Sequence, residues 1–200
     1  MKIFILIPFF LIFSYASEFV PLVVIDKVEK QYDRFAKNRF VALNKVLKKL
    51  EKVDTKTKLE KVNDFFNAVK YVEDIDIYGV TDYWATPFEF LAHDKGDCED
   101  FVIAKYFALE HLGIPANKLF LSYVKAEGRT DTHMVLSYYE TPSSEPLVLD
   151  NIRKIIFPAS KRGDLKFIYN FNPYILEDGK KTKAHKNWDE LMQRVNKNKI

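Results

Sequence analysis

The sequence predicts a single-domain α+β fold, with helices in the first half of the chain and an antiparallel sheet in the second. Apolar residues recur at three- and four-residue steps through much of the first half, which is typical of amphipathic helices. The second half contains short runs of β-branched and aromatic residues between turn-like segments, which is typical of strands. With 200 residues and 48% hydrophobic content, the chain suits one domain with a substantial core, and we expect it to span residues 17–200.

Three amphipathic helices are predicted from this periodicity. The first covers residues 26–53, and the second follows "DTKT" and covers 59–69. We expect the second helix to fold back on the first and both to serve as scaffold. A short amphipathic segment over residues 187–195 closes the chain.

Two further helices surround the single cysteine of the chain. Thr86, Pro87 and Glu89 form a capping box with proline at the first helical position, so a short helix begins there and stops before Gly96. The next helix has Asp97 as its N-cap, runs almost wholly apolar and ends near residue 113. A helix that is apolar on nearly every side is expected to be buried.

Four strands are predicted in the second half, at "KLFLSYVKA", "THMVLSYY", "PLVLDNI" and "KFIYNFN". The segments "EGRTD", "ETPSSE" and "SKRGD" separate them as turns. Short strands joined in this way favour an antiparallel sheet packed against the helices.

The N-terminus resembles a secretory signal peptide. Lys2 precedes the apolar run "IFILIPFFLIF", and Ser14-Tyr15-Ala16 then supplies the small residues of a cleavage site. We therefore predict a signal peptide over residues 1–16 and a mature chain from about Ser17. An uncleaved membrane anchor is the alternative, although the run is short for a bilayer span.

The charge and the cysteine content limit the classes of function that the chain can have. The chain holds 31 basic and 28 acidic residues in a mixed pattern, which argues against an extended nucleic-acid surface. Cys98 is the only cysteine, so an internal disulfide is excluded. In an exported protein such a thiol is either a small buried apolar group or a reactive one.

A catalytic arrangement around Cys98 is possible from the pattern. The thiol would lie at a helix N-terminus, where the helix dipole favours a thiolate. His133 opens a predicted strand, and Asp150 ends the next, so antiparallel pairing would place the two side by side. If the helix packs on the His133 face of the sheet, nucleophile, base and orienting acid can meet. Spacing alone leaves other combinations open.

The other three histidines and Trp84 have ordinary structural explanations. We interpret His93 as a loop residue, His111 as part of a helix C-terminus and His185 as solvated in a lysine-rich tail. Trp84 could contribute to an oxyanion site, but packing is the preferred interpretation.

Several segments of the chain resemble one known family. "DYWATPFEFL", "GDCEDFVIAKYFALEHLGIP", "THMVLSYY", "PLVLDNI" and "PASKRGDL" look like the bacterial transglutaminase-like cysteine proteases of the LapG type, over about residues 82–172. The resemblance implies a papain/transglutaminase-like α+β fold with Cys98 as nucleophile, His133 as base and Asp150 as orienting acid. It also implies a periplasmic, calcium-dependent endoprotease that cuts a large surface adhesin near its N-terminus, releases cells from biofilms and is held by an inner-membrane cyclic di-guanylate receptor.

Calcium would explain the carboxylates around the thiol. Asp97, Glu99 and Asp100 offer hard oxygen ligands that suit calcium, whereas the chain lacks the cysteine and histidine pairs of a zinc site. Without a cation, these carboxylates should raise the pKa of the thiol. The alternative is that Asp97 only caps the helix and the other two favour its N-terminus.

The leading hypothesis from the sequence is therefore peptide hydrolysis. Acyl transfer to an amine shares the same thioester chemistry and remains an alternative. A non-catalytic calcium-binding recognition module is a second alternative, from a different class of function.

Overall fold

The computed structural model describes residues 18–176 and 180–197. The predicted signal peptide lies outside the described residues. The helices within them are α1 (Leu22–Gln31), α2 (Arg34–Leu50), α3 (Thr55–Phe66), α4 (Asp74–Tyr78), α5 (Pro87–His93), α6 (Cys98–His111) and α7 (Lys183–Asn196).

The strands form two sheets. They are β1 (Lys70–Tyr71), β2 (Lys95–Gly96), β3 (Leu119–Ala126), β4 (His133–Tyr138), β5 (Leu147–Leu149), β6 (Phe157–Pro158) and β7 (Leu165–Phe171). Strands β3 to β7 form an antiparallel sheet in the order β6-β5-β4-β3-β7. Strands β1 and β2 form a separate parallel pair.

Local capping signals of the sequence are confirmed at the helices near the cysteine. The hydroxyl of Thr86 accepts from the backbone N–H of Glu89, and the Glu89 carboxylate accepts from the Thr86 N–H. Helix α6 begins at Cys98, and Gly113 follows its end with a φ of 84°. A positive φ favours glycine, because it has no Cβ.

The predicted helix over residues 26–53 was wrong, because two helices occupy this stretch. Tyr32 leaves the helical region with φ −113° and ψ −88°. Asp33 then caps α2, and its carboxylate accepts from the N–H of Ala36 at 2.7 Å. The side-chain cap restarts the helix in a new direction, although the apolar period continues across the break.

Several further features were not predicted, among them the parallel pair of β1 and β2. Helix α4 is short, and its sequence "DIDIY" has no clear apolar period. The antiparallel sheet has a fifth strand, β6, and the last strand β7 pairs with β3 rather than with its predecessor in the chain.

Helix α6 occupies the centre of the core, as its composition predicts. Most of its residues are buried, including Phe101, Ile103 and Leu109. It packs against β4, α3 and α5. Met134 and Leu136 share the main core cluster with α6, whereas Val135 belongs to a smaller cluster. Because side chains alternate along a strand, the helix packs on the Met134 face and not on the His133 face.

No helix of the described ranges is both long enough and apolar enough to cross a bilayer.

Candidate active site

Cys98 is the first residue of α6 and is 8% exposed. Its Sγ lies 3.1 Å from a carboxylate oxygen of Glu99. Burial raises the pKa of the thiol well above its ordinary value, and the negative charges of Glu99 and Asp97 add to this. A hydrogen bond from the backbone of Met134 acts in the opposite direction. The direction agrees with the sequence-based expectation, although burial is the largest cause.

His133 and Asp150 form a buried pair, and strand β4, which begins at His133, packs beside α6. Nε2 of His133 lies 2.9 Å from Oδ1 of Asp150, and both side chains are almost fully buried. Strands β4 and β5 pair in antiparallel register, with Leu136 opposite Leu149. This pairing brings His133, the first residue of β4, close to Asp150, which follows β5, as their positions in the sequence predict.

The ionisation of Asp150 fixes the direction of this hydrogen bond. Burial raises the pKa of Asp150, but hydrogen bonds and charge from His133 and Arg162 outweigh it and hold the pKa below the ordinary range. The carboxylate therefore accepts, and Nε2 of His133 donates. Nδ1 is then the ring nitrogen that is available to accept or donate a proton in a reaction.

Cys98 and His133 line one cavity of about 220 Å³. Trp84, Tyr123 and Tyr169 form aromatic parts of its wall. Both residues reach this cavity even though α6 packs on the Met134 face of the sheet, and each is the first residue of its element. The cavity therefore gives a reacting group access to both the thiol and the imidazole.

An acidic cluster lies next to the thiol, and its membership differs from the predicted set of Asp97, Glu99 and Asp100. The structure brings Asp74, Asp97 and Asp100 together, each offering a carboxylate oxygen within 4.8 Å of the others. Glu99 groups instead with Asp97 and Cys98. Asp97 occupies the N-cap position, but its side chain makes no capping hydrogen bond. No pattern in the sequence indicated that Asp74 belongs to this cluster.

The donor set of this cluster fits a calcium ion. One oxygen each of Asp74, Asp97 and Asp100 is buried without a hydrogen-bond partner in the described ranges. The opposite oxygens of Asp74 and Asp100 accept from the N–H groups of Tyr83 (2.5 Å) and Ala85 (2.8 Å). Burial raises the pKa values of all three carboxyl groups, and the negative charge of Glu99 adds to this in each case. Buried carboxyl oxygens that lack hydrogen-bond partners are ligands that calcium accepts.

Gly96 makes room for this cluster. A Cβ at this position would lie 2.6 Å from Oδ2 of Asp100 and 2.5 Å from the ring of Phe90. Any larger residue would displace the carboxylate or the ring. The glycine is therefore part of the geometry of the acidic cluster.

The remaining histidines lie away from the cavity. The interpretation of His93 as a loop residue was wrong, because it is the last residue of α5 and contacts the rings of Tyr32 and Tyr78. The interpretation of His185 as solvated was wrong: it is 4% exposed, and its ring is hydrogen-bonded to Thr182 in the cap of α7 and to the carbonyl of Ile175.

Two buried cations near Asp150 were also missed. Arg162 donates to Oδ2 of Asp150 at 2.6 Å. Lys105 is fully buried on α6, and the charge of Asp150 acts on it. Neither residue follows a pattern that distinguishes it from a surface basic residue.

A thiol at the start of a buried helix, which shares a cavity with a histidine–aspartate pair on antiparallel strands, is the arrangement of papain- and transglutaminase-like cysteine hydrolases. The chain belongs to the bacterial transglutaminase-like cysteine proteinases, whose family model matches residues 31–173.

Solved structures of LapG from Legionella pneumophila are similar over nearly the whole chain. One is 41% identical with a TM-score of 0.75, covering 90% of this chain and 99% of that chain. A calcium-bound structure is 40% identical with a TM-score of 0.74, covering 88% and 99%. An EGTA-treated structure is 39% identical with a TM-score of 0.75, covering 90% and 100%. This likeness confirms the predicted transglutaminase-like α+β fold. A search of curated proteins gave no match.

Proposed function

We propose that this protein is a periplasmic, calcium-dependent cysteine endoprotease that cleaves the N-terminal region of a large cell-surface adhesin. The observation that supports it most strongly is the cavity that Cys98 and His133 share, with His133 bound to Asp150 at 2.9 Å. Family membership and the similarity to LapG support the same reaction class.

The chemistry follows from the positions of these three residues. The Cys98 thiolate attacks the carbonyl of the scissile peptide bond, forming the carbon–sulfur bond of a tetrahedral intermediate. His133 donates its proton to the leaving amine as the carbon–nitrogen bond breaks, which leaves a thioester. His133 then removes a proton from water, which attacks the thioester, and the thiol is released with the carboxylic acid product. Asp150 stabilises the imidazolium form of His133 in both steps.

Backbone N–H groups at the start of α6 are the candidates for oxyanion stabilisation. The first N–H groups of a helix have no partner within the helix, and they carry the positive end of the helix dipole. Because Cys98 is the first residue of α6, these groups lie next to the position of attack.

Calcium would be held by Asp74, Asp97 and Asp100, with Glu99 as a further candidate beside the thiol. A bound dication would offset the negative charge that raises the pKa of Cys98 and would fix the loop before α6. The calcium-bound structure of the similar LapG supports calcium as the cation, and the buried carboxylate oxygens support these residues as its ligands.

The adhesin substrate, the biofilm role, the periplasmic location and the cyclic di-guanylate receptor are proposed from the resemblance of the segments around Cys98, His133 and Asp150 to this family. The apolar N-terminal segment supports export.

Labelling of new protein N-termini tests the proposal. Cells that display surface adhesins are incubated with purified protein in calcium buffer, in chelator, or with the Cys98→Ala variant. We expect new peptide ends near the N-terminus of a large adhesin only with the wild-type protein and calcium. The same ends in all three samples would refute the protease function.

An added primary amine separates the remaining alternatives. A transferase would give an amide product, whereas a protease gives chiefly the carboxylic acid. Calcium-dependent adhesin binding by Cys98→Ala, without cleavage by the wild type, would identify a recognition module.

A further inference from the structure

Arg162 is an arginine buried directly behind the proposed catalytic acid. Its side chain is 1% exposed, and its Nη2 donates to Oδ2 of Asp150 at 2.6 Å. The other oxygen, Oδ1, is the one that accepts from His133. The two carboxylate oxygens of Asp150 therefore have different partners, the imidazole of His133 and the guanidinium of Arg162.

Arg162 is also bound to a second carboxylate, that of Asp164. Its Nε and Nη2 donate to Asp164 at 3.0 and 2.9 Å. The guanidinium is a rigid planar fork, so fixing one edge on Asp164 also fixes the group that meets Asp150. The N–H of Ile152 donates to Oδ1 of Asp150 at 3.0 Å and limits its rotation from the other end.

We propose that Arg162 is a positioning residue of the active site, which orients Asp150 so that Oδ1 faces His133 and keeps this carboxylate ionised. The role rests on the proposed function of Cys98, His133 and Asp150 as nucleophile, base and acid. Without Arg162, Oδ2 would be a buried anionic oxygen with no charged partner. The carboxylate could then rotate or take up a proton, and its support of the His133 imidazolium would weaken.

The structure also provides a matched comparison residue. Arg153 contacts the same Asp164, at 3.6 Å, but its side chain is 51% exposed. Its loss removes a positive charge from the same neighbourhood without removing a hydrogen bond to Asp150. A general effect of charge or of the Asp164 contact would appear in both arginine variants, whereas positioning of Asp150 predicts, of the two arginines, an effect only at Arg162.

Alkylation of Cys98 by iodoacetamide tests this role without a protein substrate. The rate is measured from acidic to alkaline pH in calcium buffer for the wild type and for Arg162→Met, Arg162→Lys, Asp164→Asn and Arg153→Met, with circular dichroism as the check of folding. The reagent reports the thiolate, which the His133 imidazolium stabilises. It therefore remains informative if no adhesin is cleaved.

We expect Arg162→Met to lower the alkylation rate near neutral pH by about tenfold, as for loss of a charged hydrogen bond. Arg162→Lys and Asp164→Asn should give smaller losses, and Arg153→Met should match the wild type within about twofold. A folded Arg162→Met protein with the wild-type pH profile would overturn the proposal. If Arg162→Met does not fold, wild-type pH profiles in both Arg162→Lys and Asp164→Asn would overturn the proposal. If none of these three variants folds, Arg162 is needed for folding only, and the proposal is overturned as well.

Discussion

Lys105 is a buried basic residue whose replacement should stabilise the protein. Its side chain is fully buried, and its Nζ has no hydrogen-bond partner within the described ranges. The ring of Phe101 lies 5.8 Å away. Burial lowers the pKa of Lys105 from 10.5 to about 7, although the charge of Asp150 raises it in part.

The size of the effect follows from this pKa. Since the unfolded chain binds this proton more tightly than the folded one, Lys105 lowers the free energy of unfolding wherever the unfolded lysine is charged. The cost is roughly 5 kcal/mol at about pH 6, where the group is protonated in both states, and roughly 2 kcal/mol at about pH 9, where the folded protein has released the proton. The apolar Lys105→Met variant removes this cost.

Urea unfolding of reduced protein at these two pH values measures the prediction. Lys105→Met should be more stable than the wild type at both, with a larger gain at the lower pH. Tyr106→Phe is the control, because it removes a neighbouring buried hydroxyl that also has no partner in the described residues. A less stable Lys105→Met protein, or a gain that does not change with pH, would refute the reasoning.

Three other variants test separate parts of the fold and the acidic cluster. Thr86→Ala removes the cap of α5 and should lower the free energy of unfolding by about 1 kcal/mol in urea titrations; an unchanged midpoint would contradict the capping role. Gly96→Ala should cost about 1–3 kcal/mol because its methyl group would overlap its neighbours, whereas Gly163→Ala, where a Cβ meets no atom within 4 Å, should have little effect. In thermal unfolding, calcium should raise the melting temperature of the wild type, and it should raise that of Asp74→Asn much less. Asp76→Asn, at an exposed position, is the control and should respond to calcium as the wild type does. Equal shifts in all three would place the cation elsewhere.

The parts of the site that sequence could predict are those fixed by local signals. The start of α6 at Cys98 follows from turn and capping residues within a few positions. The approach of His133 to Asp150 follows from two neighbouring antiparallel strands, for which pairing is the simplest arrangement. In both cases the determining interactions are close in the chain.

The site residues that were not predicted are placed by contacts between segments far apart in the chain, and those segments show only weak sequence patterns. Asp74 reaches Asp97 because the two-residue strands β1 and β2 pair, with Tyr71 opposite Gly96. Strands this short show no period in the sequence. Arg162 reaches Asp150 from a loop beyond β6, and nothing in its neighbours indicates burial. The break before α2 was missed because the Asp33 cap interrupts an apolar period that continues on both sides.

The order of the strands in the antiparallel sheet affects how the protein folds. Strands β3, β4, β5 and β6 are neighbours in both chain and sheet, so each pairs with a partner close in sequence. Strand β7 must return across the sheet to pair with β3, which requires a larger loop closure. The segment that makes this return contains Arg162. We therefore expect a newly made chain to reach its full activity only after its last strand has docked, so that the order of folding itself delays the appearance of a fully reactive thiol protease.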